Sequence, residues 1–60
     1  MKNISIKELE LSTRTRNALL RAGIFNLNEL LELSVEELFN LKNMGTKSVE
    51  EVINLQKAFW

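Results

Sequence analysis

Leu41-Lys42-Asn43-Met44-Gly45-Thr46-Lys47-Ser48-Val49-Glu50-Glu51 reads as a tight turn that ends in glycine and hands over directly to a helix. Glycine at that point lets the backbone turn sharply and approach a ligand closely. The first N–H groups of the helix that follows have no partner within it and carry the positive end of its dipole, so they attract anions. Lys47 adds a full positive charge and Ser48 a hydroxyl, which places three kinds of phosphate-binding group in one stretch. The turn itself is expected to need Gly45, with or without a ligand.

Downstream, Val49, Val52 and Ile53 recur at i, i+3 and i+4 and predict the longest helix, over about residues 46–58. Gln56 is expected to interrupt that stripe, and Leu55 and Phe59 extend apolar character to a neighbouring side. Upstream, Ser34 followed by Glu37 is a capping box that opens a short helix, Val35 to Asn40, with Leu38 inward and Phe39 or Leu41 at its exit. Asn26 with Glu29 gives the same signal for a helix carrying Leu27, Leu30 and Leu31. Ser12 reads as the N-cap of a helix reaching about Ala22, with Ala18, Leu19 and Ala22 on its apolar side and Gly23 placed to end it. The first eleven residues supply Ile4, Ile6, Leu9 and Leu11 as core anchors. One isolated strand there would have nothing to pair with, so an extended or single-turn lead-in is predicted. The predicted fold is all-α, a compact bundle of four short helices plus the lead-in, forming a single domain across residues 1–60.

Apolar residues at 45% and charged residues at 27% place the sequence among globular proteins. At 60 residues its core is small and its stability modest. There is no cysteine and no histidine, which removes disulfides and leaves little support for a transition-metal site or histidine acid–base catalysis. Glu36-Glu37 and Glu50-Glu51 are adjacent on their helices and point in different directions, so neither pair is a catalytic dyad. No catalytic residue, cofactor or metal is expected. No apolar run approaches membrane-spanning length and no signal-peptide core is visible, so a soluble cytoplasmic protein with no membrane role is expected.

The formal charge is zero, but its distribution is uneven. Between residues 11 and 28 there is no acid and three arginines, Arg14, Arg16 and Arg21; between residues 38 and 49 there is again no acid, with Lys42 and Lys47. The acids gather at Glu29, Glu32, Glu36 and Glu37 and at the two ends. If the two acid-free stretches meet in the fold, one face is basic. Both also run turn, small polar, basic, small polar, then helix, so two helix N-termini with basic first turns are candidates for a paired site.

Over residues 6 to about 59, without gaps, the sequence resembles the C-terminal domain of the bacterial RNA polymerase alpha subunit. The resemblance is carried by Leu9-Glu10-Leu11-Ser12-x-Arg14-Thr15-x-Asn17-x-Leu19, Arg21-Ala22-Gly23-Ile24, Glu29-Leu30-Leu31 and Asn43-Met44-Gly45-x-Lys47-Ser48-Val49-Glu50-Glu51-Val52. It implies a helix-hairpin-helix unit that binds phosphate backbone, docking on the minor groove of A·T-rich upstream promoter DNA, and contacts with transcription activators and sigma factor. By position it implies Arg14 as the residue entering the minor groove and Asn17 as its neighbour on groove or backbone. Gly45, Lys47 and Ser48 are the matches around the hairpin, with Glu51 beside them. It implies a nucleoid-associated, non-catalytic module, monomeric as an isolated domain.

The side chains agree with that reading on physical grounds. Arginine is favoured in a narrow A·T minor groove, where the potential is most negative and the guanidinium sheds water cheaply. Lysine and backbone N–H groups hold phosphates without reading sequence. Plainer readings stand beside these: a solvated arginine at Arg14, a surface amide at Asn17, a solvated, locally capped face at Lys47 and Ser48. Glu51 either pairs with a nearby cation or favours a helix N-terminus. Arg16 and Arg21 read as surface charges.

The sequence also departs from the family. Thr46 stands where many members carry a cation after the glycine, removing a phosphate contact or supplying an N-cap. Gln56 stands where the family usually has an apolar residue, and Ile53 and Leu55 fill positions often polar. The sequence starts at Met1 without a polymerase-assembly domain, which suggests an excised piece or a free-standing relative. The leading expectation is a DNA-binding module. The alternative is a free-standing protein-interaction domain of the same fold with weak or lost DNA binding, using the apolar Ile53, Leu55, Phe59 and Trp60.

Overall fold

The computed structural model describes residues 4–59. After a 3-10 turn, Ile6–Glu8, come four α-helices: α1, Thr13–Arg21; α2, Leu27–Leu31; α3, Val35–Asn40; and α4, Thr46–Phe59. The fold is all-α, and α4 packs against α1, α2 and α3. Trp60 lies outside the described residues.

Local side-chain chemistry sets each boundary. Ser12, Asn26 and Ser34 cap α1, α2 and α3, and reciprocal capping boxes form at Asn26–Glu29 and Ser34–Glu37. Removing such a cap typically costs about 1 kcal/mol. The lead-in carries a further box, Ser5 with Glu8, with the same Ser-x-x-Glu spacing as Ser34–Glu37. Helix α1 ends in a Schellman motif: Ile24 N–H reaches Leu19 O at 2.9 Å and Gly23 N–H reaches Leu20 O at 3.1 Å. Gly23 has φ +86°, a conformation L side chains rarely adopt.

The lead-in has one pairing that was not expected. Ser5 and Asn26 form an isolated antiparallel bridge, with Ile6 N–H to Phe25 O at 2.9 Å and Leu27 N–H to Ile4 O at 2.7 Å. The partner is a loop rather than a strand, which is why strand signals did not reveal it.

The core joins Ile6, Leu9 and Leu11 to Ala18, Leu19, Leu27, Leu30, Leu38, Met44, Val49 and Val52. Ala22 is not in it; it is the exposed C-cap of α1, where the helix stripe has run out. Phe39 is exposed and Leu41 is the residue that packs back on the core.

Gln56 corrects a second expectation. It does not break the α4 stripe but continues it, 2% exposed, and its Nε2 donates to Leu30 O and Leu33 O, both at 2.9 Å. Those carbonyls lie at and just past the C-terminal end of α2, a five-residue helix with no glycine stop. The buried amide is tolerated because both of its bonds are made: it gives Leu33 O a donor and adds a second to Leu30 O, which already accepts the Leu33 N–H. Ile53 and Leu55 are half-buried against the core rather than forming an open strip.

Candidate nucleic-acid interface

The first turns of α1 and α4 meet. Thr15 Oγ1, buried, lies 2.9 Å from Ser48 Oγ and 2.8 Å from Glu51 Oε2. Glu51 Oε1 accepts the Ser12 backbone N–H at 2.9 Å, and Oε2 accepts the Ser12 hydroxyl at 3.0 Å. An ionised carboxylate only accepts, so the single Thr15 proton goes to Glu51 and the Ser48 hydroxyl serves Thr15. The pKa of Glu51 is lowered chiefly by the Ser12 N–H, with burial acting in the opposite sense and the Thr15 and Ser12 hydroxyls adding to the lowering.

Glu51 therefore serves a helix N-terminus, though not that of its own helix. It is the sixth residue of α4, past the first turn where its own helix dipole is felt, and it bonds the head of α1 instead. The negative charge that α1 lacks in its first turn is supplied from α4. That leaves the outer side of the first turn of α1 free for Arg14, which is exposed.

Ser48 is 5% exposed and turned into the α1–α4 contact, where its hydroxyl meets that of Thr15. The backbone is a different matter. The first intrahelical bond of α4 runs from Val49 N–H to Gly45 O at 3.0 Å, which leaves the N–H groups of Thr46, Lys47 and Ser48 without partners in the helix. Lys47 is exposed in this turn. Thr46 is the first helical residue, with Gly45 before it in the capping position, so the N-cap role weighed for Thr46 does not arise.

Gly45 is not required by the turn. The left-handed residue is Asn43, at φ 65°, while Gly45 has no positive φ and a Cβ built on it meets nothing within 4 Å. Asparagine tolerates this conformation because its short amide can bond locally. The expectation that the bend needs glycine at position 45 was wrong by two residues.

The two acid-free stretches do meet. A shallow groove between α1 and the α3–α4 turn is lined by Arg14, Asn17, Ala18, Arg21 and Asn43. It continues past Arg21 to Asn40 and Lys42. Of the residues singled out in the sequence, the structure brings Arg14 and Asn17 into one groove, leaves Gly45 and Lys47 exposed in the adjoining turn, and puts Ser48 and Glu51 between the helices. Asn43 and Arg21 were missed as groove residues. The i, i+3, i+7 spacing of Arg14, Asn17 and Arg21 carried the signal for Arg21. Arg16 is not a free surface charge: it is half-buried, and its Nη2 donates to Leu11 O at 3.1 Å.

A separate groove lies along the C-terminal half of α4. Ile4, Leu9, Leu55, Ala58 and Phe59 form its apolar lining, with Glu8 and Glu10 among its polar residues.

The family model for the C-terminal domain of the bacterial RNA polymerase alpha subunit matches residues 1–57 of the 60-residue protein. The protein belongs to this family. No curated protein matches it. Membership agrees with the all-α architecture. No helix among the described residues is long and apolar enough to cross a membrane.

Proposed function

We propose that this alpha C-terminal domain binds duplex DNA as a single unit over residues 1–60. Arg14 enters an A·T-rich minor groove, and Asn17 and Asn43 line the approach. Lys47 and the open N–H groups at the head of α4 hold a backbone phosphate, with Gly45 allowing that backbone to come close. Glu51 and the Ser48 hydroxyl act one step back, by fixing α1 against α4. The observation that carries the reading is the groove in which Arg14 and Asn17 face Asn43, beside three backbone N–H groups with no partner in their helix. Arginine, amide side chains and free N–H groups together suit a narrow groove flanked by phosphates. The domain acts by binding rather than by catalysis, as a monomer, on the nucleoid in the cytoplasm.

Contact with transcription activators or sigma factor is a second reading, favoured by the Leu55–Phe59 groove, which shares no residue with the basic one. The two roles are compatible.

With three or four phosphates engaged, log affinity is expected to fall against log salt with a slope of roughly −3. Titration of A·T-rich and G·C-rich duplexes into labelled protein at low salt, followed by NMR, tests the DNA reading. Shifts at Arg14 and Lys47 that are larger with the A·T-rich duplex support it, and no shift at either residue with either duplex refutes it.

A further inference from the structure

Arg21 lies outside the constellation just described, yet it shares the groove with Arg14 and, with Ala18 and Asn43, lines the stretch by which that groove runs on to Lys42. We propose that Arg21 and Lys42 form a second phosphate-binding point, taking the sugar–phosphate backbone of the same duplex beyond the groove entered by Arg14. This rests on the DNA-binding reading and extends it.

The geometry points there. Arg14 and Arg21 are seven residues apart on α1, so they project on one side of the helix with α-carbons separated by roughly 10 Å along its axis. The minor groove is only about 6 Å wide. With α1 laid across the groove, a duplex that receives Arg14 presents Arg21 with a groove wall, and the wall is phosphate. Arg21, Lys42 and Lys47 are all exposed, and no acidic residue is among those that line the groove, Arg14, Asn17, Arg21, Asn40, Lys42 and Asn43 included. Asn40 and Asn43 add neutral amides that can donate to phosphate oxygens. Arg21 also sits in the last turn of α1, where a cation is favoured by the dipole even without a ligand. That local role fixes the charge in place but does not account for Lys42, which lies on the turn after α3 and converges on the same groove.

A phosphate contact and a groove contact differ in what they do to binding. Neutralising one fewer phosphate changes the log–log salt slope by about 0.9 and lowers affinity alike for all sequences. The experiment measures affinity of the wild type, Arg21→Gln, Lys42→Gln and the double variant for A·T-rich and G·C-rich duplexes over a salt series. Each single substitution is expected to weaken binding roughly fivefold to tenfold at 0.1 M salt, equally for both duplexes, and to make the slope shallower by about 0.9. Arg21→Lys should retain the wild-type slope. Circular dichroism melts check that the variants, altered at exposed positions, stay folded. A double variant with the wild-type slope overturns the second phosphate point while leaving the DNA-binding reading intact. A wild-type protein that binds neither duplex overturns both.

Discussion

The carboxylate of Glu51, on α4, accepts the backbone N–H of Ser12, at the head of α1, at 2.9 Å. This bond and the two hydroxyl contacts to the same carboxylate tie together the two helix N-termini on which the proposed interface is built. Arg14 stands two residues beyond Ser12, and Lys47 four residues before Glu51, so one carboxylate sets the relative placement of both cations.

That relationship makes an opposite-sign prediction. Removing an acid near a phosphate-binding face ordinarily strengthens DNA binding, because it removes repulsion. Glu51→Ala is expected to weaken it, since the head of α1 loses its bonds to α4 and Arg14 its fixed position. Stability should fall by about 1 kcal/mol or more, the usual net worth of such hydrogen bonds. Urea unfolding measures the first effect and duplex titration the second; tighter binding by Glu51→Ala would rule out the positioning role.

The same group sets an acid-side pH dependence. Its folded pKa lies below the ordinary glutamate value of about 4.3, first because the Ser12 N–H favours the charged form. In that window the unfolded protein binds the proton more readily, so stability rises with pH. The contribution is complete above the unfolded pKa and is lost as pH falls through the lower folded one. Glu37 behaves likewise, its pKa lowered by the Ser34 N–H first and then by the Ser34 hydroxyl. Thermal melts between neutral pH and about pH 3 should therefore decline less steeply for Glu51→Gln than for the wild type, without becoming flat.

The turn before α4 separates stability from binding. Asn43 holds the left-handed position, so Asn43→Ala should cost roughly 1 kcal/mol and Asn43→Gly little or nothing. Gly45→Ala should do the reverse. Its Cβ meets no protein atom, and the substitution should leave stability unchanged or raise it by up to about 1 kcal/mol through a less flexible unfolded state. Yet it places a methyl group beside the free N–H groups of α4, so duplex affinity should drop. Paired melting and titration curves check both halves.

Short-range signals made most of the architecture legible. The caps Ser12, Asn26 and Ser34 act within three residues, and they set helix starts that the structure reproduces. What stayed hidden depends on partners distant in sequence. Glu51 reaches back 39 residues to Ser12, and Gln56 reaches 26 residues to Leu30, and neither partner is implied by the residues around it. Gln56 was misread because a polar residue on an apolar stripe looks like an interruption until the carbonyls it bonds are found opposite it. At the candidate site, composition located the basic face but not the burial of the Ser48 hydroxyl. That burial depends on how α1 packs against α4.

Gln56 makes a stability prediction of its own. Gln56→Ala leaves the Leu33 carbonyl without its side-chain donor and opens space beside Val52 and Leu30, which should cost about 2–3 kcal/mol. Gln56→Leu refills the space but not the hydrogen bonds, so its cost should fall between that of alanine and zero. Urea midpoints of the two variants, measured together, separate the packing contribution from the polar one.

Specificity is expected to rest on Arg14. Arg14→Lys keeps the charge, so a phosphate-dominated site would scarcely register the change and the salt slope should stay near roughly −3. An ammonium is a compact, strongly hydrated point charge that gives up its water less readily than a guanidinium does, and a narrow A·T groove rewards the group that enters it dry. The lysine variant is therefore expected to lose affinity for the A·T-rich duplex by about tenfold and for the G·C-rich duplex hardly at all, closing the gap between them. Arg14→Ala should weaken A·T binding further and make the slope shallower. Affinities of the three proteins for both duplexes at two salt concentrations check this, and a lysine variant that keeps the full A·T preference would place groove recognition elsewhere than Arg14.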